Sequence, residues 1–181
     1  MINAKFYHTY TTETEIILDK DSIVLRCSLE ANSHQNIYKV IYDILKPKYF
    51  GWNLDSMVDV ICDPHCIITD NIYIIHEDFQ NLSNNMLFKY LQVLNDIYLF
   101  WKQKSQTKAH IYFKANLLEL IEKVIYEGND QQEEANSLNQ LLEQKSAELQ
   151  SILLKYKIKS EIHEVLNQIQ EIKDHIYVLS R

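Results

Sequence analysis

The stretch KPKYFGWNLDSMVD, Lys46 to Asp59, decides how the first two thirds of the chain are organised. Pro47 has no N–H and restricts the residue before it, so it ends any helix that arrives from the N-terminal side. Gly51 is expected as a turn point. Asn53 is a good N-cap, because its side-chain oxygen accepts from the free N–H groups of a helix's first turn. A helix is then expected through Leu54, Met57, Val58 and Ile61.

Periodicity extends the reading in both directions. Upstream, HQNIYKVIYDILK places Ile37, Val40, Ile41, Ile44 and Leu45 at the spacing of an amphipathic helix, with Asn32 and Ser33 as caps. Before it, EIILDKDSIVLRCSL (15–29) reads as two short β runs around Asp19-Lys20-Asp21. Downstream, IYII (72–75) reads as a buried strand. A helix starting at Asn81 or Ser83 runs to about Lys104 and carries Leu87, Tyr90, Leu91, Leu94 and Trp101; AHIYF (109–113) reads as a last strand. The order β-α-α-β-α-β predicts an α/β domain over residues 1–115: a small three-stranded parallel sheet packed with helices.

Residues 116–181 form a C-terminal helical extension of different texture. LLELIEKVIYE is helical and expected to end at Gly128, followed by a polar linker, NDQQEEANS. Ile158, Ile162, Val165, Ile169, Ile172, Ile176 and Leu179 then step as a heptad seam. Leu138, Leu142, Lys145, Leu149, Ile152 and Tyr156 step likewise but in another phase, which predicts two helices joined by a bend near 155–160. Such a seam packs on itself or on the domain, joins a second copy in a homo-oligomer, or docks onto another protein.

Composition limits the function classes. Apolar residues make up 46% of the 181 and charged residues 24%, the balance of a globular protein. No apolar run is long enough for a bilayer, so no membrane partner is expected. The start, MINAKFYHTYTTETE, has no basic and apolar leader, which reads as a cytoplasmic protein. The net charge of −7 disfavours nucleic acid and favours a basic partner. Its distribution matters more than its total. Residues 1–115 hold thirteen acids against eleven bases, and 116–181 hold twelve against seven. Yet from Tyr49 to Phe88 there is no Lys or Arg, while six acids occur. Cys62-Asp-Pro-His65-Cys66, even with Cys27 added, lacks the paired spacing of a four-ligand zinc site. Three cysteines do not make a disulfide framework, and two glycines exclude a Gly-rich phosphate loop. No nucleophile–base pair emerges, so no enzyme, metal or cofactor is expected.

Within the base-free stretch, Asp55 and Asp59 stand i, i+4 on one helix and therefore side by side. Two like charges there cost the helix roughly a few tenths of a kcal/mol. Asp55 recovers part of this beside the positive helix N-terminus. A fixed carboxylate pair suits a partner rich in Lys, Arg and His, such as a site built to bind phosphate.

Pro47, Tyr49, Phe50, Gly51, Asn53, Leu54, Asp55 and Asp59, with the flanking strands and helices, resemble the signature of the barstar family over about residues 22–114. The resemblance implies an immunity-type inhibitor that occludes the active site of a basic ribonuclease toxin. It implies that Asp59 enters the toxin's phosphate-binding centre and that Asp55 pairs with a neighbouring base. It also implies that Tyr49 lies against the catalytic region and that Gly51 and Asn53 shape the binding loop. Asp96, on the following long helix, aligns with a further acid of the family. Trp52 stands where the best-known member has an acid, and Val58 replaces an aromatic. Trp52 is then either an interface anchor or core, and the toxin is not barnase itself. The alternative is a helical adaptor that acts through the tail seam, with the barstar-like domain as scaffold.

Overall fold

The computed structural model describes residues 1–2, 5–28, 35–79, 82–104, 107–156 and 159–179, with side chains omitted at 154–156, 159–161 and 163. Its elements are β1 (His8–Tyr10), β2 (Ile23–Ser28), α1 (Gln35–Leu45), α2 (Leu54–Ile61), β3 (Asn71–Asp78), α3 (Asn84–Gln103), β4 (Lys108–Lys114), α4 (Leu118–Tyr156) and α5 (Lys159–Leu179). The chain divides into two compact units, Met1–Tyr126 and Glu127–Arg181.

In the first unit the sheet is parallel throughout and has four strands, in the order β1-β4-β3-β2. The expected three-stranded sheet is therefore one strand short. β1 is only three residues long, too short to show alternation, and it exists because His8–Tyr10 pair with Tyr112–Lys114 far along the chain. The expected pair of β runs in 15–29 is also corrected: Ile23–Ser28 forms β2, but 16–18 do not form a strand. Ile16 is buried, whereas Ile17 is 82% exposed, so the apolar run there divides between core and solvent without a ladder to join.

Each sheet face has its own cover. Leu25, Ile72, Ile74, Ile111 and Phe113 share one core with Ile37 and Ile41 of α1, Met57 and Ile61 of α2, and Leu87, Leu91 and Leu94 of α3. The first turns of α4 add Ile121, Val124 and Ile125 to it. Tyr10, Ile16, Tyr73 and Ile75 form a smaller cluster on the other face. Ser83 caps α3 by accepting from Met86 N–H, and Lys104 closes it, where the pattern placed its ends. Asn32, Ser33 and Asn81 lie outside the described residues.

The expected stop at Gly128 and the linker after it are corrected: α4 runs unbroken through both. No glycine has a positive φ among the described residues, so Gly128 makes no C-cap. NDQQEEANS contains no proline, and its Gln, Glu and Ala are good helix formers. Its polarity marks solvent exposure, not the end of the helix.

In the second unit, α4 and α5 are the two helices expected; residues 157 and 158 of the predicted bend lie outside the described residues. His175 Nε2 of α5 lies 3.8 Å from Glu134 Oε1 of α4. Ile169 is buried, while Leu141, Leu153, Leu166, Tyr177 and Val178 are exposed.

Candidate functional site

The loop between α1 and α2 is held by local chemistry. α1 ends as Lys46 takes φ 46° and its N–H still reaches Tyr42 O at 2.9 Å. Pro47 then forbids continuation. At the other end Asn53 caps α2 as expected. Its Oδ1 accepts from Ser56 N–H at 2.8 Å, and Asn53 N–H donates to Ser56 Oγ at 3.2 Å, a reciprocal capping box. Gly51 is not the turn residue; Trp52, with φ 54°, takes the left-handed conformation. Gly51 instead packs closely against the cap. A Cβ there would meet Asn53 Nδ2 and Ser56 Oγ at 3.3 Å each, and both side chains are already committed to the cap. Two non-glycine residues in the left-handed region, in one short loop, store roughly 1–3 kcal/mol each. Such strain persists where the surroundings hold it in place, and it gathers at functional surfaces.

The aromatic pair of this loop divides its work. Phe50 is buried and anchors the loop, with ring centroids 6.1 Å from Tyr38 and 5.4 Å from Trp52. Its neighbour Tyr49 is 84% exposed. Trp52 is presented and not core: it is 51% exposed and lies 5.4 Å from the ring of Tyr42. Tyr42, also exposed, is the member of this patch that sequence reasoning missed. It sits next to the buried stripe of α1, and only its pairing with Trp52 singles it out. Ile44, expected in the stripe, is 45% exposed on the same helix.

Asp55, in the first turn of α2, and Asp59, one turn on, are both exposed. Asp96 is exposed on α3. The electrostatics of neighbouring groups show how these acids converge. Burial pushes the Cys62 thiol up to about 12, and the Asp96 and Asp59 carboxylates push it the same way. Carboxylates from two helices therefore act on one sulfur. Burial likewise pushes the Tyr38 hydroxyl up to about 12, with Asp55 adding to it. The acids thus lie along α2 from α1 towards α3. Trp101 of α3 fixes the α2 end of this arrangement by donating its indole N–H to Ile61 O at 3.0 Å.

The Cys62–Cys66 segment forms a turn. Asp63 accepts from the His65 N–H at 2.8 Å and from the Cys66 thiol at 3.3 Å, and these bonds hold its carboxyl below the usual range. Cys27 is buried and its thiol is pushed up to about 12 by burial. Among the described residues no group of three or more His, Cys, Asp or Glu is placed to hold a metal ion, and no helix is long and apolar enough to cross a membrane.

Fold and surface together define a small parallel α/β domain that presents acids of two helices beside a strained, aromatic loop. A family model described as Barstar (barnase inhibitor) matches residues 23–114, just over half of the chain. The chain belongs to the barstar family. The match begins after β1 and ends with β4, so β1, α4 and α5 lie outside it. Comparison with curated proteins and with solved structures gives no match.

Proposed function

We propose that this protein is an immunity-type inhibitor that binds a basic ribonuclease toxin and occludes its active site. The exposed carboxylates of Asp55 and Asp59, one turn apart on α2, carry the reading, together with the family description of a barnase inhibitor. A ribonuclease active site is lined with Lys, Arg and His to hold phosphate. Carboxylates fixed in space substitute for those phosphates. Asp59 is the central group, with Asp55 and Asp96 on either side. Gly51 and Asn53 hold the loop, and Tyr49 and Trp52 cover the rim of the toxin's cleft. Such an inhibitor protects its producer in the cytoplasm before the toxin leaves.

The test is binding of Asp59→Ala to a basic ribonuclease that the unmodified protein inhibits. Loss of one partner of a buried charge pair costs about 2–5 kcal/mol, a scale that leans in part on the barnase–barstar pair itself. Unchanged affinity by titration calorimetry excludes Asp59 from the interface.

A second reading rests on the heptad seam of the tail, with Leu141, Leu166 and Tyr177 outside that seam adding exposed apolar surface on α4 and α5. Both fit a helical adaptor or a homo-oligomer built through the tail. Deleting residues 131–181 separates the two readings. Neutralisation that survives the deletion makes the tail auxiliary; neutralisation lost from a folded domain favours the adaptor.

A further inference from the structure

In a chain of net charge −7, the segment from Ile97 to Leu118 contains no acid and four lysines. The fold gathers three of those lysines around one cavity. β1 pairs with β4 only at Tyr112–Lys114, so the first half of β4 extends past it. A cleft of about 360 Å³ lies there, lined by Lys102, Lys104, Lys108, His8, His110 and Tyr98, among others. None of its lining residues is acidic. Among the described residues, none of the three lysines forms a salt bridge. Lys102 Nζ sits 5.6 Å from the Tyr98 ring centroid, over its face, and Lys104 Nζ sits likewise over Phe100.

His110 reports the field inside the cleft. Its proton affinity is lowered by burial first, then by His8 and Lys108; only Asp19 opposes them. The Asp19 carboxylate is itself engaged, accepting from Asn71 Nδ2 at 2.7 Å and from the Tyr73 hydroxyl at 2.9 Å. His110 stacks on Tyr73 at 4.8 Å, and its Nε2 lies 3.0 Å from Asn71 Oδ1, which fixes the ring. The cleft is therefore a concave cationic site with no acid among its lining residues. The net charge of −7 on the whole chain repels a long polyanion. A small anion that fits the cavity gains the local field without meeting that repulsion.

We propose that this cleft binds a small phosphate-bearing ligand, no larger than a mononucleotide, with Lys102, Lys104 and Lys108 neutralising the phosphate and His8 at its rim. Lysine ammonium groups serve as point-charge phosphate binders without demanding a planar fork. This site uses none of the groups assigned to the inhibitor surface.

The probe is inorganic pyrophosphate, titrated into the full chain at low salt and followed by NMR. The expected result is saturable shifts confined to residues of the cleft and a rise in the His110 pKa, because an anion beside it reverses the push of Lys108 and His8. Lys104→Gln with Lys108→Gln, both exposed positions, weakens binding by about tenfold or more, while nuclease inhibition stays unchanged. Citrate, a carboxylate anion of similar charge, binds at least about tenfold more weakly. Absence of saturation, equal binding by the double variant, or citrate binding as well as pyrophosphate each overturns the proposal.

Discussion

Acidification is expected to destabilise this domain through one buried histidine. His76 of β3 is fully buried, and its two ring nitrogens are both engaged. Nδ1 lies 3.1 Å from Tyr112 O, a carbonyl that can only accept, so Nδ1 carries the proton. Nε2 therefore accepts from the Tyr90 hydroxyl, at 2.8 Å. The Phe113 ring stacks on the imidazole at 4.5 Å. Burial away from water penalises the charged imidazolium and pushes the His76 pKa down to about 3 from 6.5. The unfolded chain then binds a proton that the folded chain refuses, so stability falls as pH drops from about 6.5 towards 3. At 1.36 kcal/mol per pH unit the full loss is about 5 kcal/mol, of which about 2 kcal/mol falls between pH 7 and 5. That window lies above the carboxylates, and both losses are large against a typical total of about 5–15 kcal/mol. Urea unfolding at pH 7, 6 and 5 measures the loss, and His76→Gln should remove most of the pH slope whatever it does to the baseline. His110, also lowered, adds a smaller part of the same sign, so His110→Gln is the control. A midpoint that does not move between pH 7 and 5, or a slope unchanged in His76→Gln, refutes the reasoning.

Gly51→Ala should cost about 1 kcal/mol in thermal or urea unfolding, the worth of an N-cap, because the new Cβ pushes on Asn53 Nδ2 and Ser56 Oγ. If stability is unchanged, the capping box has room to shift and the crowding argument fails. Trp52→Ala and Tyr42→Ala should each weaken nuclease binding, by about 1 kcal/mol or more if the aromatic pair covers the rim of the toxin's cleft. Affinity unchanged in both places the patch outside the interface. Association with the nuclease should slow steeply as salt rises, while dissociation changes little, since the acids on α2 and α3 steer a basic partner. A salt-independent on-rate, read by stopped flow, removes steering from the account.

What can be read from the sequence is whatever depends on local periodicity and local chemistry. Most of the stripe of α1, with Ile44 the exception, the caps Asn53 and Ser83, and the runs that form β3 and β4 lie where residue spacing puts them. What cannot be read depends on partners distant in the chain. β1 is a strand only because the end of β4 lies beside it. Ile16 is core only because Tyr73 and Ile75 offer it a surface. The continuous α4 escapes the reading for another reason. A polar, glycine-preceded segment reads as a linker, although helix propensity, and not polarity, decides whether exposed backbone stays helical.

The proposed binding surface obeys the same division, and this shapes how the family resemblance is to be used. A motif names Tyr49, Gly51, Asn53, Asp55 and Asp59 because they are close in sequence and share one loop and one helix. It does not explain why Gly51 is glycine. The usual argument from positive φ belongs to Trp52, one residue later, and Gly51 is explained by the Asn53–Ser56 cap against which it packs. Nor does the motif reach Asp96 or Tyr42, which stand on other helices. Asp96 enters by its alignment on the following long helix, and Tyr42 by its ring contact with Trp52. A Trp where the best-known member carries an acid, with a Tyr from α1 beside it, exchanges a charge for apolar area at the edge of the same surface. Partner choice in this chain is therefore expected to depend on Trp52 and Tyr42, and the general attraction to a basic nuclease on Asp55, Asp59 and Asp96. The two sets are separable: swapping Trp52 for Asp should redirect preference among basic nucleases while leaving the salt dependence of association intact or steeper. If Trp52→Asp instead abolishes binding to every nuclease tested in a folded protein, the rim and the acidic centre are not independent, and the division between them fails.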